Sequence, residues 1–254
     1  MEGFILVKNI LVTRPEHQAE TLCGLIEQQN WNAVRFPTLE IVAVDNDLVR
    51  QQLKQIQDYQ WLIFISTNAV NFAVNLNNGK IDCFKQVAIA AVGKSTEKAL
   101  HTAGLVVDLV PEQSFNTEGL LASNEMNSIK DQSCLIVRGQ DGRETLAQVL
   151  RERGAKVDYL EVYKRKIPEY SHVAITSLLK QGKLDAITIT SGNALKNLLA
   201  MINNELHDKL LTVPLIVISE RIKVLAEQYQ FKQIAVTDKH GDAAIIDTVK
   251  MSLY

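Results

Sequence analysis

Two halves of this chain repeat each other, which limits it to a fold built twice from one kind of unit. The stretch Ile63–Val70 resembles Thr188–Leu195, so that Ser66, Asn68 and Ala69 fall on Ser191, Asn193 and Ala194. Ile10–Arg14 likewise matches Cys134–Arg138, and Glu20-Thr-Leu22 returns as Glu144-Thr-Leu146. Ala91–Ser95 corresponds in place to Val217–Arg221. These pairs share nearly one offset, about half the chain, which chance similarity among short apolar runs does not supply.

The repeated unit alternates strands with helices. Ile10–Thr13 is a strand signal, and Glu16 to Gln29 sets Ala19, Leu22, Leu25 and Ile26 on one helical face. Ala33–Phe36 and Leu39–Val44 flank a break at Pro37. Further strand candidates are Trp61–Ile65, Val87–Val92, Val106–Val110, Cys134–Val137, Val157–Val162, Ala186–Thr190, Leu215–Ile218 and Ile234–Val236, with helical patterns between most of them. Such alternation predicts an α/β fold with parallel sheets covered by helices on both faces. Two similar domains facing each other would leave a cleft, the usual place for a ligand. They could be consecutive, or the chain could leave the first domain early and return late. Pro37 and Pro168 mark two crossing strands in the second arrangement, with Leu39–Val44 and Leu160–Arg165 side by side as a hinge.

Composition removes several classes. With 254 residues, 46% hydrophobic and 22% charged, the chain can bury a core without disulfide or metal staples. A net charge of −2 and a pI of about 6.2 give no global field toward nucleic acid or an anionic membrane. Any attraction for an acidic ligand must be local. Cys23, Cys83 and Cys134 are odd in number and widely spaced, which reads as free thiols without metal-ligand spacing. His17, His101, His172, His207 and His240 never recur at ligand spacing, so no zinc site is expected. The apolar start, Met1 to Val12, lacks a basic leader and a small-residue cleavage site, and no apolar run is long enough to span a bilayer. A cytoplasmic protein is expected.

The corners between strand and helix carry the functional signals. Ser66-Thr67-Asn68 and Ser191-Gly192-Asn193 have helix-capping chemistry, as do Gly93-Lys94-Ser95-Thr96 and Ser219-Glu220-Arg221. Free backbone N–H groups and the helix dipole attract anions there, although capping alone accounts for any single corner. Arg14 and Arg138 end matching strands, where a doubly wound sheet presents side chains to a ligand, and Arg143 follows nearby. Arginine holds a carboxylate through two parallel hydrogen bonds; the bland alternative is pairing with an acid such as Glu16 or Asp141. Gly93-Lys94-Ser95-Thr96 imitates a phosphate loop, but Ala88 stands where that loop needs glycine. No G-x-S-x-G elbow appears.

Taken in order, these segments resemble the uroporphyrinogen-III synthase family. The similarity starts at Leu11–Pro15 with Gln18 and Ala19, and runs through Phe36-Pro37, Trp61–Val70, Ala91–Thr96 and Val110-Pro111 with Thr117–Leu120. It continues through Ile136–Gly139 with Gly142-Arg143, Val162–Arg165, Thr190–Ala194 and Val217–Ser219. The resemblance implies two similar doubly wound parallel-sheet domains, joined by a two-stranded antiparallel linker with the crossed connectivity. Residues 1–37 with 168–254 would form the first domain and 44–160 the second, with 38–43 and 161–167 as hinge strands. It also implies hydroxymethylbilane as substrate, no metal or organic cofactor, and a transient hand-over from hydroxymethylbilane synthase. A monomer is expected, with no nucleic-acid or membrane partner.

Within that resemblance Tyr163 is the candidate proton donor, in the place of the family's cleft tyrosine. Arg14, Ser66, Thr67, Asn68, Lys94, Ser95, Thr96, Arg138, Gly139, Arg143, Ser191, Gly192, Asn193, Ser219 and Arg221 are the candidates for binding the substrate's carboxylates. Ser219–Ile222 departs from the Pro-Thr-Thr pattern of some members, and Glu220 would repel a carboxylate unless Arg221 compensates. The competing readings are a two-domain α/β binding module for a small acidic metabolite and a sugar-phosphate or nucleotide enzyme on a similar fold.

Overall fold

The computed structural model describes residues 7–169, 172–239 and 241–253. His240 and residues 1–6 of the apolar stretch from Met1 lie outside them. The chain opens with β1 (Asn9–Val12), α1 (Glu16–Glu27) and β2 (Asn32–Arg35). It continues through β3 (Glu40–Ala43), α2 (Asp47–Lys54), β4 (Trp61–Phe64), α3 (Thr67–Leu76), β5 (Ala88–Ala91) and α4 (Lys94–Thr102). Two short helices, α5 (Thr117–Leu121) and α6 (Asn124–Asn127), precede β6 (Ser133–Gly139), α7 (Thr145–Glu152) and β7 (Lys156–Lys166). The remainder is α8 (Val173–Gln181), β8 (Ala186–Ile189), α9 (Gly192–Met201), α10 (His207–Leu210), β9 (Leu215–Val217), α11 (Glu220–Gln228), β10 (Ile234–Val236) and α12 (Asp242–Leu253).

These elements form two compact units: one runs to Glu40 and resumes at Lys166, and the other is Ile41–Arg165. In the discontinuous unit the sheet order is β10-β9-β8-β1-β2, and every pairing is parallel. Numbered along that unit's own chain this is 2-1-3-4-5, the flavodoxin-like order, whose switch point falls between β1 and β8. The continuous unit has the order β3-β7-β6-β4-β5, with β7, β6, β4 and β5 parallel. Here β6 and β7 take the places of β1 and β2, and β4 and β5 those of β8 and β9. Its switch point lies between β6 and β4. The two copies of the repeat therefore exchange their first strand pairs between the sheets, which explains why one offset relates them.

The central strands of both sheets are buried on both faces, so β1, β4, β8 and β9 read as mostly apolar runs, while the edge strands β2 and β3 keep exposed ends. In β4, Leu62 and Phe64 enter one core with Phe84, Leu100 and Leu135, while Ile63 enters another with Ile136, Leu146 and Leu150. In β1, Leu11 packs with Ile187, Leu195 and Leu198, and Ile10 and Val12 pack with Leu22, Ile26 and Ile245. The face of α1 that buries Ala19, Leu22, Cys23 and Ile26 includes most of the positions expected from its periodicity.

One expected strand is missing. Val106–Val110 makes only a single parallel bridge, Ala90 to Leu109. The Asp108 carboxylate accepts the Ile89 amide at 2.7 Å, taking a donor that a ladder would need. Val106 is exposed, and Pro111 can donate nothing to an extension.

Candidate functional site

In the continuous unit the switch point is made by the ends of β4, β6 and β7. Along β7 successive side chains face opposite sides of the sheet, Val157 toward one core and Leu160 toward the other, until the register slips: Arg138 pairs with Glu161, but Gly139 pairs with Tyr163. This bulge puts Val162 and Tyr163 into the same core, re-aiming the tyrosine inward. Tyr163 is only 2% exposed. Its ring stacks on Phe72 of α3, with centroids 5.6 Å apart. Its hydroxyl lies 3.2 Å from Ser66 Oγ. The Arg165 guanidinium sits 5.8 Å from the ring centroid.

Ser66 ends β4 in extended geometry and caps α3, its Oγ accepting from the Ala69 amide at 3.1 Å. Thr67 Oγ1 donates to the Ser95 carbonyl at 3.3 Å, tying this corner to the head of α4. There Gly93 supplies no side-chain cap and its carbonyl takes the Thr96 amide at 3.0 Å, while the Lys94 and Ser95 amides, like the first two of any helix, find no acceptor among the described residues. Lys94 Nζ lies 4.6 Å from the Phe115 ring centroid, and Thr96 is buried in the first turn. Asn68 is half-buried beside Ser66. The continuous unit thus brings Ser66, Thr67, Ser95, Gly139 and Tyr163 together.

Arg138 is buried and already engaged. It donates through Nε to the Gly139 carbonyl at 3.1 Å, through Nη2 to the Gly142 carbonyl, and through Nη1 to Glu144 at 2.9 Å. Tyr159 lies under its guanidinium, 4.4 Å away, and donates its hydroxyl to Glu144. Those two hydrogen bonds, first from Tyr159 and then from Arg138, hold the Glu144 carboxyl below the usual range. Burial and then the hydrogen bond to Glu144 raise the Tyr159 phenol. The arginine orders the β6–α7 loop, and Arg143 in that loop is exposed with no ion pair among the described residues.

The discontinuous unit repeats the arrangement with differences. Ser191 caps α9, its Oγ accepting from the Ala194 amide at 3.0 Å, and Gly192 and Asn193 open that helix. Thr13 and Thr188 lock the switch point: Thr13 donates to the Thr188 carbonyl at 2.8 Å and Thr188 to the Leu11 carbonyl at 3.0 Å. Arg14 ends β1, but its guanidinium pairs with Asp242 at 2.5 Å, a partner with no signal near Arg14 in sequence. Ser219 precedes α11 without using its side chain as a cap, Arg221 is exposed, and Glu220 pairs with Lys223 at 3.6 Å. Beyond β10 the Thr237 hydroxyl is buried with no hydrogen-bond partner among the described residues. The four corners therefore differ in what meets the third amide: Ser66 and Ser191 use their hydroxyls, whereas at α4 and α11 the Gly93 and Ser219 carbonyls do so, and the first two amides of all four helices find no acceptor among the described residues. Among the described residues no group of three or more His, Cys, Asp or Glu could hold a metal, and no helix is long and apolar enough to cross a membrane.

A family model described as uroporphyrinogen-III synthase HemD matches residues 20–247. The chain belongs to the uroporphyrinogen-III synthase family. Within it, the uroporphyrinogen-III synthase of Escherichia coli (strain K12) is 29% identical over 94% of this chain and 98% of its own length. The putative uroporphyrinogen-III synthase of Methanothermobacter thermautotrophicus is 30% identical over 85% of this chain and 83% of its own. Uroporphyrinogen-III synthase structures share the fold. A mutant Thermus thermophilus enzyme matches with a TM-score of 0.60 at 15% identity, over 97% of this chain and 99% of its own. The Helicobacter pylori enzyme matches with a TM-score of 0.59 at 16% identity, over 98% of this chain and 100% of its own.

In each unit, residues outside the sequence-based set also position the candidates. Phe72, Tyr159, Glu144 and Asp242 hold Tyr163, Arg138 and Arg14 in place. Only Glu144 left a trace in the sequence, as the repeat partner of Glu20.

Proposed function

We propose that the chain acts as a lyase, closing hydroxymethylbilane to uroporphyrinogen III with loss of water and without a cofactor. The pyrrole nitrogen expels the terminal hydroxyl, leaving an azafulvenium cation. The terminal ring attacks through its substituted carbon, and the resulting spiro intermediate fragments and recloses with that ring turned over. The pyrrole framework supplies the electronic push. The protein's tasks are to provide a proton for the departing oxygen and to hold the chain in the conformation that favours inversion.

The observation that carries this reading is the pairing of Tyr163 with Ser66 beside the open amides of Lys94 and Ser95, in a chain of this family. A phenol can supply a proton without bringing charge to the site, and an uncapped helix head receives a carboxylate. Lys94, Arg143 and Arg221 are the exposed cations set near such corners. Arg138 and Arg14 act instead through the loops and helix they hold.

The test is a coupled reaction. Porphobilinogen and its deaminase are supplied, the protein is added, and the oxidised products are resolved by isomer. Predominance of the type III isomer is expected; unchanged type I output overturns the proposal.

A further inference from the structure

Ser66 and Tyr163 differ in how they can meet a ligand. Tyr163 is 2% exposed and lies under Gly139 and beside Phe72, whereas Ser66 is half-buried at the strand end. A serine hydroxyl has two lone pairs and one proton. One lone pair accepts the Ala69 amide at 3.1 Å. The Tyr163 hydroxyl at 3.2 Å fills the other when it donates. With Tyr163 as the donor both acceptor positions are used, and apart from the tyrosine oxygen itself the serine's proton meets no acceptor among the described residues. In that arrangement the serine's proton is left for a ligand. Ser191 makes the same cap, yet among the described residues no tyrosine hydroxyl meets it, so capping does not account for the Tyr163 contact.

Resting on the synthase reading above, we infer that Ser66 is the group that touches the departing hydroxyl, and that Tyr163 supplies its proton from behind. As the C–O bond breaks, the leaving oxygen takes the Ser66 proton and departs as water. Ser66 Oγ takes the Tyr163 proton in the same motion. Negative charge rests on the phenolate, near the Arg165 guanidinium 5.8 Å from the ring centroid. When the closing pyrrole carbon loses its proton to restore aromaticity, that proton returns along the same path. The balance is one water lost and both residues restored.

The experiment uses the full chain in excess over bilane generated by the deaminase, in single turnover, with isomer ratio, rate and D2O dependence recorded. Ser66→Asn keeps a good helix cap but cannot pass a proton. Its rate should fall about 100-fold or more, the scale of a lost general acid, with its melting temperature unchanged. Ser66→Thr should recover most of that loss. The dependence of rate on deuterium fraction should be curved for the native chain, with two protons in flight, and straight for Tyr163→Phe. A Ser66→Asn rate within about twofold of native, or a straight dependence in the native chain, overturns the relay while leaving the synthase reading intact. Type I product from the native chain overturns the synthase reading itself, and the relay with it.

Discussion

Gly139 faces the Tyr163 ring so closely that a β-carbon on it would lie 2.4 Å from Tyr163 Cε2. No side chain fits without moving the ring, and Phe72 stacks on that ring. Gly139→Ala should therefore destabilise the continuous unit by about 1–3 kcal/mol, the usual cost of overpacking. It should also pull the phenol away from Ser66 and slow turnover. Urea unfolding and rate, measured on the same variant, check this; native values for both would show that the ring can shift freely.

The Arg138–Glu144–Tyr159 cluster makes a pH prediction. The Glu144 carboxyl is held below its ordinary value of 4.5 by hydrogen bonds from Tyr159 and Arg138. A depressed carboxylate contributes stability that is present above its unfolded pKa and lost as pH falls through the lower folded value. Tyr159 is raised above 10.0 by burial and then by Glu144, so its share is present below that pH and fades as pH rises through the folded value. The cluster is thus intact at neutral pH. Glu144→Gln should flatten the acid limb of the stability profile below about pH 4.5. Melting curves between pH 3 and 7 measure it, and identical slopes in both proteins would count against the cluster.

Much of this architecture was open to inspection in the sequence. Strands buried on both faces must be apolar throughout, so β1, β4, β6, β8 and β9 announced themselves, and the repeat of Ser66-Thr-Asn68 at Ser191-Gly-Asn193 located two helix heads. What stayed hidden depended on distant pairings. Arg14 meets Asp242 across nearly the whole chain, and nothing local to either residue signals the other. The inward turn of Tyr163 comes from a register slip at Arg138/Gly139, and strand periodicity by itself would have sent that ring to the opposite face. Val106–Val110 had the composition of a strand, but Asp108 bonds the neighbouring backbone with its side chain.

The Arg14–Asp242 pair is mostly buried, with side-chain exposures of 16% and 17%. Asp242 also stands in the first turn of α12, where a negative charge suits the helix dipole. Removing either partner leaves the other charge poorly solvated. A double-mutant cycle of Arg14→Ala and Asp242→Ala should give a coupling energy of about 1–2 kcal/mol, within the range for contacting residues. Strict additivity in chemical denaturation would mean that the pair contributes nothing to holding α12 on β1.

The four helix heads offer the sharpest contrast between a serine that caps and one that does not. Ser66 and Ser191 each accept an amide three residues on, at 3.1 and 3.0 Å, while Ser219 makes no such bond. Losing a serine cap costs about 1 kcal/mol. Ser66→Ala and Ser191→Ala should therefore lower the unfolding free energy by about that much each, and Ser219→Ala by far less. On the proposed function the Ser219 hydroxyl, which makes no cap among the described residues, would serve the substrate. Product added to Ser219→Ala should accordingly raise its melting temperature less than it raises that of the native chain. Equal losses of stability at all three serines would erase the distinction between the serines that cap and the one that does not, and equal protection by product would remove Ser219 from the proposed binding surface.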